Sequence, residues 1–278
     1  MKHGTSASAH AAMRLLLLPA VAMIVAISAV CNGCTSASDN VTLDSLTWSD
    51  SIVFSSTSHA KVDLNVHYIA RGPKALRDSV SRWICEAFGD STASRSAELK
   101  DFIADYGRNC LKDDSAEITA EFDDIPNYFE YALDRSVSVI FEDEQFITFC
   151  VQTYRYCGGA HGSTINDYAT FRKSDGHLMG WDLLAGLSRN DIADRIKQGL
   201  RSYFELSDDD SLVDCLLLDA IDEAERDALY ENNFPLPSTL PYIVNDSVAI
   251  IYQQYEIACY AAGMPSCFIA PKPASAGK

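Results

Sequence analysis

The sequence has few basic residues for its length. It contains 278 residues, with 22 lysines and arginines against 39 aspartates and glutamates, so its net charge is −17 at neutral pH. Proteins that bind nucleic acid normally carry a basic patch, and docking on anionic lipid headgroups also relies on clustered basic residues. The charge balance therefore argues against both partners. It favours the attraction of cationic partners instead.

Common catalytic and metal-binding signatures are missing as well. After residue 34 there is no His-Glu-x-x-His helix, no cysteine pair at zinc spacing, no Gly-x-Ser-x-Gly elbow and no phosphate-binding loop. Residues 208–210 are three consecutive aspartates, but the spaced ligands of a calcium loop are absent. We therefore predict neither a metal ion nor a cofactor.

Long apolar runs are also scarce, and the one that occurs lies near the N-terminus. Residues 15–30 carry no charge and follow Arg14, which is typical of the core of a signal peptide and short for a spanning helix. A bacterial lipoprotein signal ends with a small residue before the cysteine that receives the lipid. Gly33 precedes Cys34, whereas a bulkier residue precedes Cys31. We predict that Cys34 carries the acyl chains; the alternative is plain secretion, with Cys34 an ordinary cysteine.

Cleavage before Cys34 would divide the chain into a signal peptide, residues 1–33, and a mature protein. The signal contains two basic residues and no acidic one, so the mature net charge would be two units more negative than −17, which is −19. Met1 and Met13 are alternative translation starts. Lipidation implies a protein of the bacterial cell envelope, held on a membrane by acyl chains and facing the periplasm or the exterior.

Strand and helix patterns occur in blocks along the mature chain. Residues 34–45 are small and polar and suit a tether. Alternating residues predict strands, and apolar residues at helical spacing predict helices. We expect strands over 46–70, helices over 72–89 and 96–111, a hairpin over 128–156, a strand over 167–173, helices from 181 to 204 and over 212–230, and strands over 242–244, 247–252 and 268–270. A helix capping box is expected at Ser188 and Asp191.

This order of elements predicts an α+β fold, in which helices pack on an antiparallel sheet meander. No long linker interrupts the chain, so we expect one compact unit with two subdomains. Their limits are placed at residues 46–120 and 121–272, followed by a loose tail over 273–278.

Two short segments are the most distinctive features of the sequence. The first is Tyr-Arg-Tyr-Cys-Gly-Gly-Ala-His-Gly at residues 154–162, where three glycines around a histidine indicate a tight loop. The second is Tyr-Glu-Ile-Ala-Cys-Tyr-Ala-Ala-Gly at residues 255–263, where aromatic, acidic and small residues follow a strand pattern.

Together the two segments resemble a bacterial envelope domain of unknown function. That domain occurs in the lysozyme-sensing anti-sigma factor RsiV and beside the catalytic module of the peptidoglycan deacetylase PdaC. It is similar to residues 154–162, 181–184 and 255–263 in that order, and the segment before it resembles its usual companion. The resemblance implies an accessory, non-catalytic region whose partner is a lysozyme-like cationic protein or a cell-wall component such as peptidoglycan.

The resemblance also implies a shared site for the two segments, which we expect to lie side by side. The candidate binding residues are Tyr154, Tyr156, Gly158, Gly159, His161, Gly162, Tyr255, Glu256 and Tyr260. Tyrosine offers a large contact area with a polar tip, although packing of strands explains each tyrosine equally well.

His161 and Glu256 are the candidates for a catalytic role, as acid and base of an envelope hydrolase acting on glycan. The alternative is a structural role, in which His161 forms hydrogen bonds with the neighbouring backbone and Glu256 accepts hydrogen bonds from loop amides. We favour the structural role for both residues. A third possibility is a scaffolding lipoprotein without a small ligand.

The nine cysteines suit an oxidising compartment. Cys157 and Cys259 each replace another residue of the family motifs, so the resemblance predicts a bridge between them. Cys85 and Cys110 lie on consecutive predicted helices and form a second candidate pair. If Cys34 is lipidated and Cys31 removed, seven cysteines remain, so at least one stays unpaired.

Overall fold

The fold is known from a computed structural model, which describes residues 40–89, 99–121, 129–220 and 222–273. The signal segment, Cys31 and Cys34 lie outside these residues, as does most of the expected loose tail. Within the described residues, no helix has both the length and the apolar character needed to cross a membrane.

The larger of two sheets has six strands in the order in which they occur along the chain. They are β1 (Thr42–Ser55), β2 (Ser58–Arg71), β3 (Phe129–Glu142), β4 (Phe146–Tyr156), β5 (Ser163–Arg172) and β6 (Leu178–Met179). Every neighbouring pair is antiparallel except β2 and β3, which run parallel. The expected antiparallel meander is present as β3, β4 and β5, and the pairing of β2 with β3 adds one parallel pair to the sheet. Both long helices lie between β2 and β3 in the chain, and a crossover of this length permits a parallel return.

Two helices join the parallel strands. They are α1 (Lys74–Ala87) and α2 (Leu99–Glu121), and α2 extends ten residues beyond the expected end at residue 111. The apolar residues of α1 are buried at helical spacing, at Leu76, Val80 and Ile84. They pack with β2, β3, β4 and β5 in a first core that includes Phe149 and Phe171.

A second core lies under the C-terminal half of the chain. It is formed with α3 (Arg189–Tyr203), α4 (Glu223–Asn232) and a smaller sheet of β7 (Tyr242–Val244), β8 (Ser247–Ile251) and β9 (Ser266–Pro271), in the order β7-β8-β9. The predicted capping box is present, since Ser188 and Asp191 exchange side-chain and backbone hydrogen bonds at the start of α3. These elements confirm the α+β class.

Two buried threonines connect the sheets. The Thr148 hydroxyl on β4 donates to the carbonyl oxygen of Ile243 on β7 at 2.8 Å, and the Ile243 amide donates to the Thr170 hydroxyl oxygen on β5 at 2.8 Å. The two hydroxyls also lie 2.8 Å apart. Polar atoms at this dry junction therefore have partners, as burial requires.

One expected helix is interrupted in the structure. In place of the helix expected over 212–230, the structure has a 3₁₀ turn at Leu212–Cys215, an irregular stretch over residues 216–220, and α4. In the stretch, the Leu217 amide donates to the carbonyl oxygen of Ile257, which removes it from any helical ladder. The subdomain limits stay a prediction; the first core already spans residue 120, because β3, β4 and β5 contribute to it.

Candidate functional site

The first motif forms the connection between β4 and β5, which pair as an antiparallel hairpin. Gly158 and Gly159 have φ angles of +82° and +93°, a region that side chains with a Cβ rarely adopt. The Tyr156 hydroxyl donates to the carbonyl oxygen of Gly159 at 3.0 Å and closes this turn. The three residues therefore shape the loop.

Gly162 has a different role, which is to make room for an aromatic ring. A Cβ at this position would lie 2.4 Å from the ring of Tyr154, closer than non-bonded atoms approach. The absence of a side chain therefore lets the Tyr154 ring pack closely against Gly162, just before β5. Tyr154 keeps 40% of its surface exposed.

The second motif follows β8 and contains a short 3₁₀ helix, Tyr260–Ala262, that ends at Gly263 with φ +72°. Tyr255 is one of three non-glycine residues with positive φ among the described residues, at +66°, and it is 58% exposed. The Tyr203 hydroxyl on α3 donates to the carbonyl oxygen of Ala262 at 2.7 Å. This bond fixes the short 3₁₀ helix against α3. The positive φ of Tyr255 marks a sharp turn of the backbone that leaves its ring exposed.

The two motifs touch through aromatic rings. The imidazole of His161 stacks on the ring of Tyr260, with centroids 3.8 Å apart and an interplanar angle of 19°. The Tyr260 hydroxyl donates to the carbonyl oxygen of Gly162 at 3.0 Å. Tyr255 lies next in the row, with its centroid 5.7 Å from that of Tyr260. We call residues 154–162 and 255–263 the two-loop surface.

Two glutamines hold the second motif along the open edge of β5. The side-chain oxygens of Gln253 and Gln254 accept from the amides of Asn166 and Thr164, each at 3.0 Å. The Gln253 side-chain amide returns a bond of 2.7 Å to the carbonyl oxygen of Asn166. Side-chain amides here replace a neighbouring strand, which protects an otherwise unpaired edge. Neither glutamine was a candidate from the sequence.

The carboxylate of Glu256, in the second motif, accepts hydrogen bonds from backbone amides. Its two carboxylate oxygens accept from the backbone amides of Ser238 and Gln253, both at 2.6 Å. Short bonds from amides to an ionised carboxylate are strong and directional. Glu256 therefore ties its own segment to the loop that contains Ser238.

His161 is exposed, and its Nδ1 lies 3.0 Å from the carbonyl oxygen of Gly162. No hydrogen bond or ion pair joins His161 to Glu256 within the described part of the chain. Over the same residues, no group of three or more His, Cys, Asp or Glu side chains is placed to hold a metal ion.

A buried polar network lies behind the first motif. Asp114 on α2 is 3% exposed, and one of its oxygens accepts from Arg155 at 2.9 Å and from the Tyr131 hydroxyl at 2.8 Å. The Arg155 Nε donates to the same hydroxyl at 2.5 Å. Burial and the Asp114 carboxylate raise the pKa of Tyr131, so the phenol stays protonated. Sequence reasoning missed this network, although Arg155 stands inside the first motif.

The cysteines of the two-loop surface are exposed thiols. Cys157 and Cys259 are not bonded to each other in the structure, and Cys110 is likewise a free thiol. Both pairings, Cys157 with Cys259 and Cys85 with Cys110, therefore stay predictions. Peptide mapping of unreduced protein purified from an oxidising compartment would test them.

Comparison with known families matches both halves of the chain. Residues 79–164 match the family model described as Deacetylase PdaC, and residues 184–270 match the model described as Protein of unknown function (DUF3298). Each model covers one of the two motifs, so the two-loop surface lies where the regions meet. Comparison with curated proteins gave no match.

Two crystal structures of DUF3298 family proteins share the fold. One, from Bacteroides fragilis, has a TM-score of 0.62 at 16% identity and covers 84% of this chain and 91% of its own. The other, from Pseudomonas aeruginosa, has a TM-score of 0.51 at 14% identity and covers 85% and 96%. The chain therefore carries a PdaC-type region and a DUF3298 region, which indicate an accessory domain of a bacterial envelope-associated protein.

Proposed function

We propose that this chain, with its PdaC-type and DUF3298 regions, is a non-catalytic binding protein of the bacterial envelope. Its two-loop surface would bind a cationic, lysozyme-like protein. The observation that carries the proposal is the row of rings formed by His161, Tyr260 and Tyr255, which two separate segments hold together and in which His161 and Tyr255 are exposed and Tyr260 is partly buried.

The chemistry of the surface supports contact with a protein. Exposed tyrosines supply large rigid contact areas at a low cost in side-chain entropy, and they are enriched where binding energy concentrates. Tyr154 and Tyr255 of the two-loop surface, and Ile165 just beyond it on β5, are each at least 40% exposed, while hydrogen bonds fix the backbone of both segments. A partner would therefore meet a preorganised surface, which lowers the entropy lost on binding.

The charge of the chain favours a basic partner. A net charge of −17 attracts cationic proteins over long range and raises the rate of encounter. The rival ligand, a neutral cell-wall component, would gain nothing from this charge. Binding of a basic protein should therefore weaken as salt is added.

The rival hydrolase needs a carboxylate that can exchange a proton with substrate. Both oxygens of Glu256 already accept short bonds from backbone amides. Using Glu256 as a base would break the contacts that hold the second motif, so binding is the better supported function.

The test is a binding measurement between the purified protein and a C-type lysozyme at low and high salt. Replacing Tyr255 or Tyr260 by Ala should weaken binding at least tenfold, because Tyr255 is an exposed ring of the row and Tyr260 supports the exposed His161 by stacking on it. Val53→Ala is the matched control, since Val53 is an apolar side chain on β1 with 70% exposure. Equal affinity of all three variants and the wild type, or no binding by the wild type, would refute the proposal.

We also propose that Cys34 anchors the protein through acyl chains. Cys34→Ser should release the protein from the membrane fraction, whereas Cys31→Ser should leave it there. Mass spectrometry of the wild-type N-terminal peptide should show added acyl mass on Cys34. A Cys34→Ser protein that stays in the membrane fraction, with no acyl mass on the wild type, would contradict the anchor.

A further inference from the structure

A second candidate site lies at the opposite end of β5 from the two-loop surface. β5 has ten residues, so its ends are separated by about 30 Å at the usual rise per residue. At its C-terminal end, an open groove of about 500 Å³ separates α1 from the turn that leads to β6. We call it the Trp83 groove.

One wall of the groove is a helical stripe. Ser79, Arg82, Trp83 and Glu86 line it, and their spacing of three and four residues places them on one face of α1. Trp83 is half-buried and packs on Phe149 and Phe171, with ring centroids 6.3 and 6.0 Å away. Its indole N–H donates to no other described residue. The Trp83 ring is therefore fixed by its packing on Phe149 and Phe171, while its indole N–H stays available to a ligand.

The other wall is the turn at residues 175–178, and it is held firmly. Gly176 has φ +72°, and a Cβ there would lie 2.5 Å from the carbonyl oxygen of Ala75, so the turn touches the first turn of α1. Arg172 donates to both carboxylate oxygens of Asp175, at 2.6–3.1 Å. His177 Nε2 lies 3.1 Å from a carboxylate oxygen of Asp182. The groove is therefore formed in advance.

The charges in the groove balance locally, unlike those of the chain as a whole. The side chains of Arg82 and Glu86 carry opposite charges, and neither side chain makes an ion pair or hydrogen bond with another described residue, while Asp175 is neutralised by Arg172. A cationic protein would find no net attraction here. The Trp83 groove is also open to solvent, whereas drug-like molecules usually bind in enclosed apolar pockets.

A half-buried aromatic platform flanked by free donors and acceptors matches the chemistry of a sugar ring. A pyranose has an apolar C–H face that can lie on an indole, and hydroxyls around its edge that both donate and accept. Arg82 offers donors only, Glu86 offers acceptors only, and Ser79 offers both. We propose that the Trp83 groove binds a neutral saccharide chain, at a site separate from the two-loop surface.

The test is titration calorimetry of the purified protein with the tetramers of β-1,4-linked N-acetylglucosamine and of β-1,4-linked glucose. We expect at least one tetramer to bind with a dissociation constant in the millimolar range or below. Arg82→Ala with Glu86→Gln should weaken that binding at least tenfold, and both side chains are exposed, so the fold is retained. Trp83→Phe should also weaken it, while an aromatic ring still fills the space above Phe171.

Glu231→Gln on α4 is the matched control for the Glu86→Gln part of the double variant, because it makes the same Glu-to-Gln change at an exposed position outside the groove. It should bind the tetramer as the wild type does. Failure of the wild type to bind either tetramer would overturn the proposal, and so would unchanged binding by the Arg82/Glu86 double variant. Neither result bears on the lysozyme measurement, since no cationic protein is present in this one.

Discussion

The imidazole of His161 and the phenol ring of Tyr260 lie nearly parallel, with their centroids 3.8 Å apart. Stacked rings at this distance exclude water between them and restrict rotation of both side chains. The residues come from different motifs, and the hydrogen bond from Tyr260 to Gly162 spans 98 positions in the sequence. This stack is therefore the contact through which one motif orders the other.

The first prediction separates the stack from the hydrogen bond. Tyr260→Phe keeps a ring on His161 but loses the bond to the Gly162 carbonyl oxygen, and it should lower the free energy of unfolding by about 0.5–1.5 kcal/mol. Tyr260→Ala removes both contacts and should also increase amide hydrogen exchange in residues 159–164. Urea denaturation and exchange mass spectrometry measure the two effects. Identical exchange in wild type and Tyr260→Ala would show that the stack does not order the loop.

Sequence reasoning could place the two motifs together, because a family resemblance suggested that they share a site. It could not supply the contacts, since stacking depends on where β4, β5 and the 3₁₀ helix at 260–262 bring the rings. The hydrogen bonds of Gln253 and Gln254 to the edge of β5 could not be predicted from the sequence either. Gln253 and Gln254 look like ordinary polar residues until they lie against the edge of β5.

The second prediction concerns the buried carboxylate behind the first motif. Asp114→Leu removes the acceptor for Arg155 and Tyr131, and leaves the phenol in a site that is 4% exposed. Breaking a buried ion pair by removal of one partner costs about 3–5 kcal/mol, and the lower end applies because half of the Arg155 side chain reaches solvent. Denaturant titration measures the loss.

Asp113→Leu is the matched control for that change, because Asp113 is the neighbouring aspartate on α2 and is exposed. It should change stability by less than about 0.5 kcal/mol. A loss in the control equal to that of Asp114→Leu would mean that the helix, and not the network, is responsible.

The fold class followed from local patterns, whereas the sheet order did not. Alternation of apolar and polar residues predicted β1 and β2, and apolar residues at helical spacing predicted α1, because each element packs one face against the core. The parallel pairing of β2 with β3 depends on how α1 and α2 pack between them, which no local pattern contains. Similarly, the periodicity of residues 212–230 favoured one helix, but a tertiary hydrogen bond at Leu217 competes with it.

The third prediction tests the junction between the sheets. Thr148→Val keeps the shape of the side chain but removes the hydroxyl that bonds the Ile243 carbonyl oxygen and the Thr170 hydroxyl. A buried carbonyl left without a partner costs about 1–3 kcal/mol, so thermal unfolding should move to lower temperature. Thr164→Val, at a partly exposed position on β5, is the control and should have a smaller effect. Equal stability of the two variants would argue against a special role for this junction.

The last prediction concerns Asp143, in the turn between β3 and β4, and how it makes the free energy of unfolding depend on pH. Asp143 is partly buried, which by itself would raise its pKa, but a hydrogen bond from Lys272 at 2.5 Å and the amides of Phe146 and Gln145 outweigh burial and lower it. A carboxyl group whose folded pKa lies below its unfolded value of about 3.9 stabilises the fold at higher pH. That contribution is complete above pH of about 5 and is lost as the pH falls through the folded pKa.

Asp143→Asn should therefore lower the free energy of unfolding by about 1–2 kcal/mol at pH 7, since a hydrogen bond to a charged group is lost at a site only partly exposed to solvent. The difference between wild type and variant should shrink as the pH is lowered from 5 to 2. Urea titrations across this range measure it, and the difference isolates Asp143 from the other aspartates. Asp209→Asn is the control, because Asp209 is exposed and bonds no other described residue. A gap between wild type and Asp143→Asn that is the same at pH 7 and pH 2 would contradict this role, because a contribution made by the ionised carboxylate must vanish when the group is protonated.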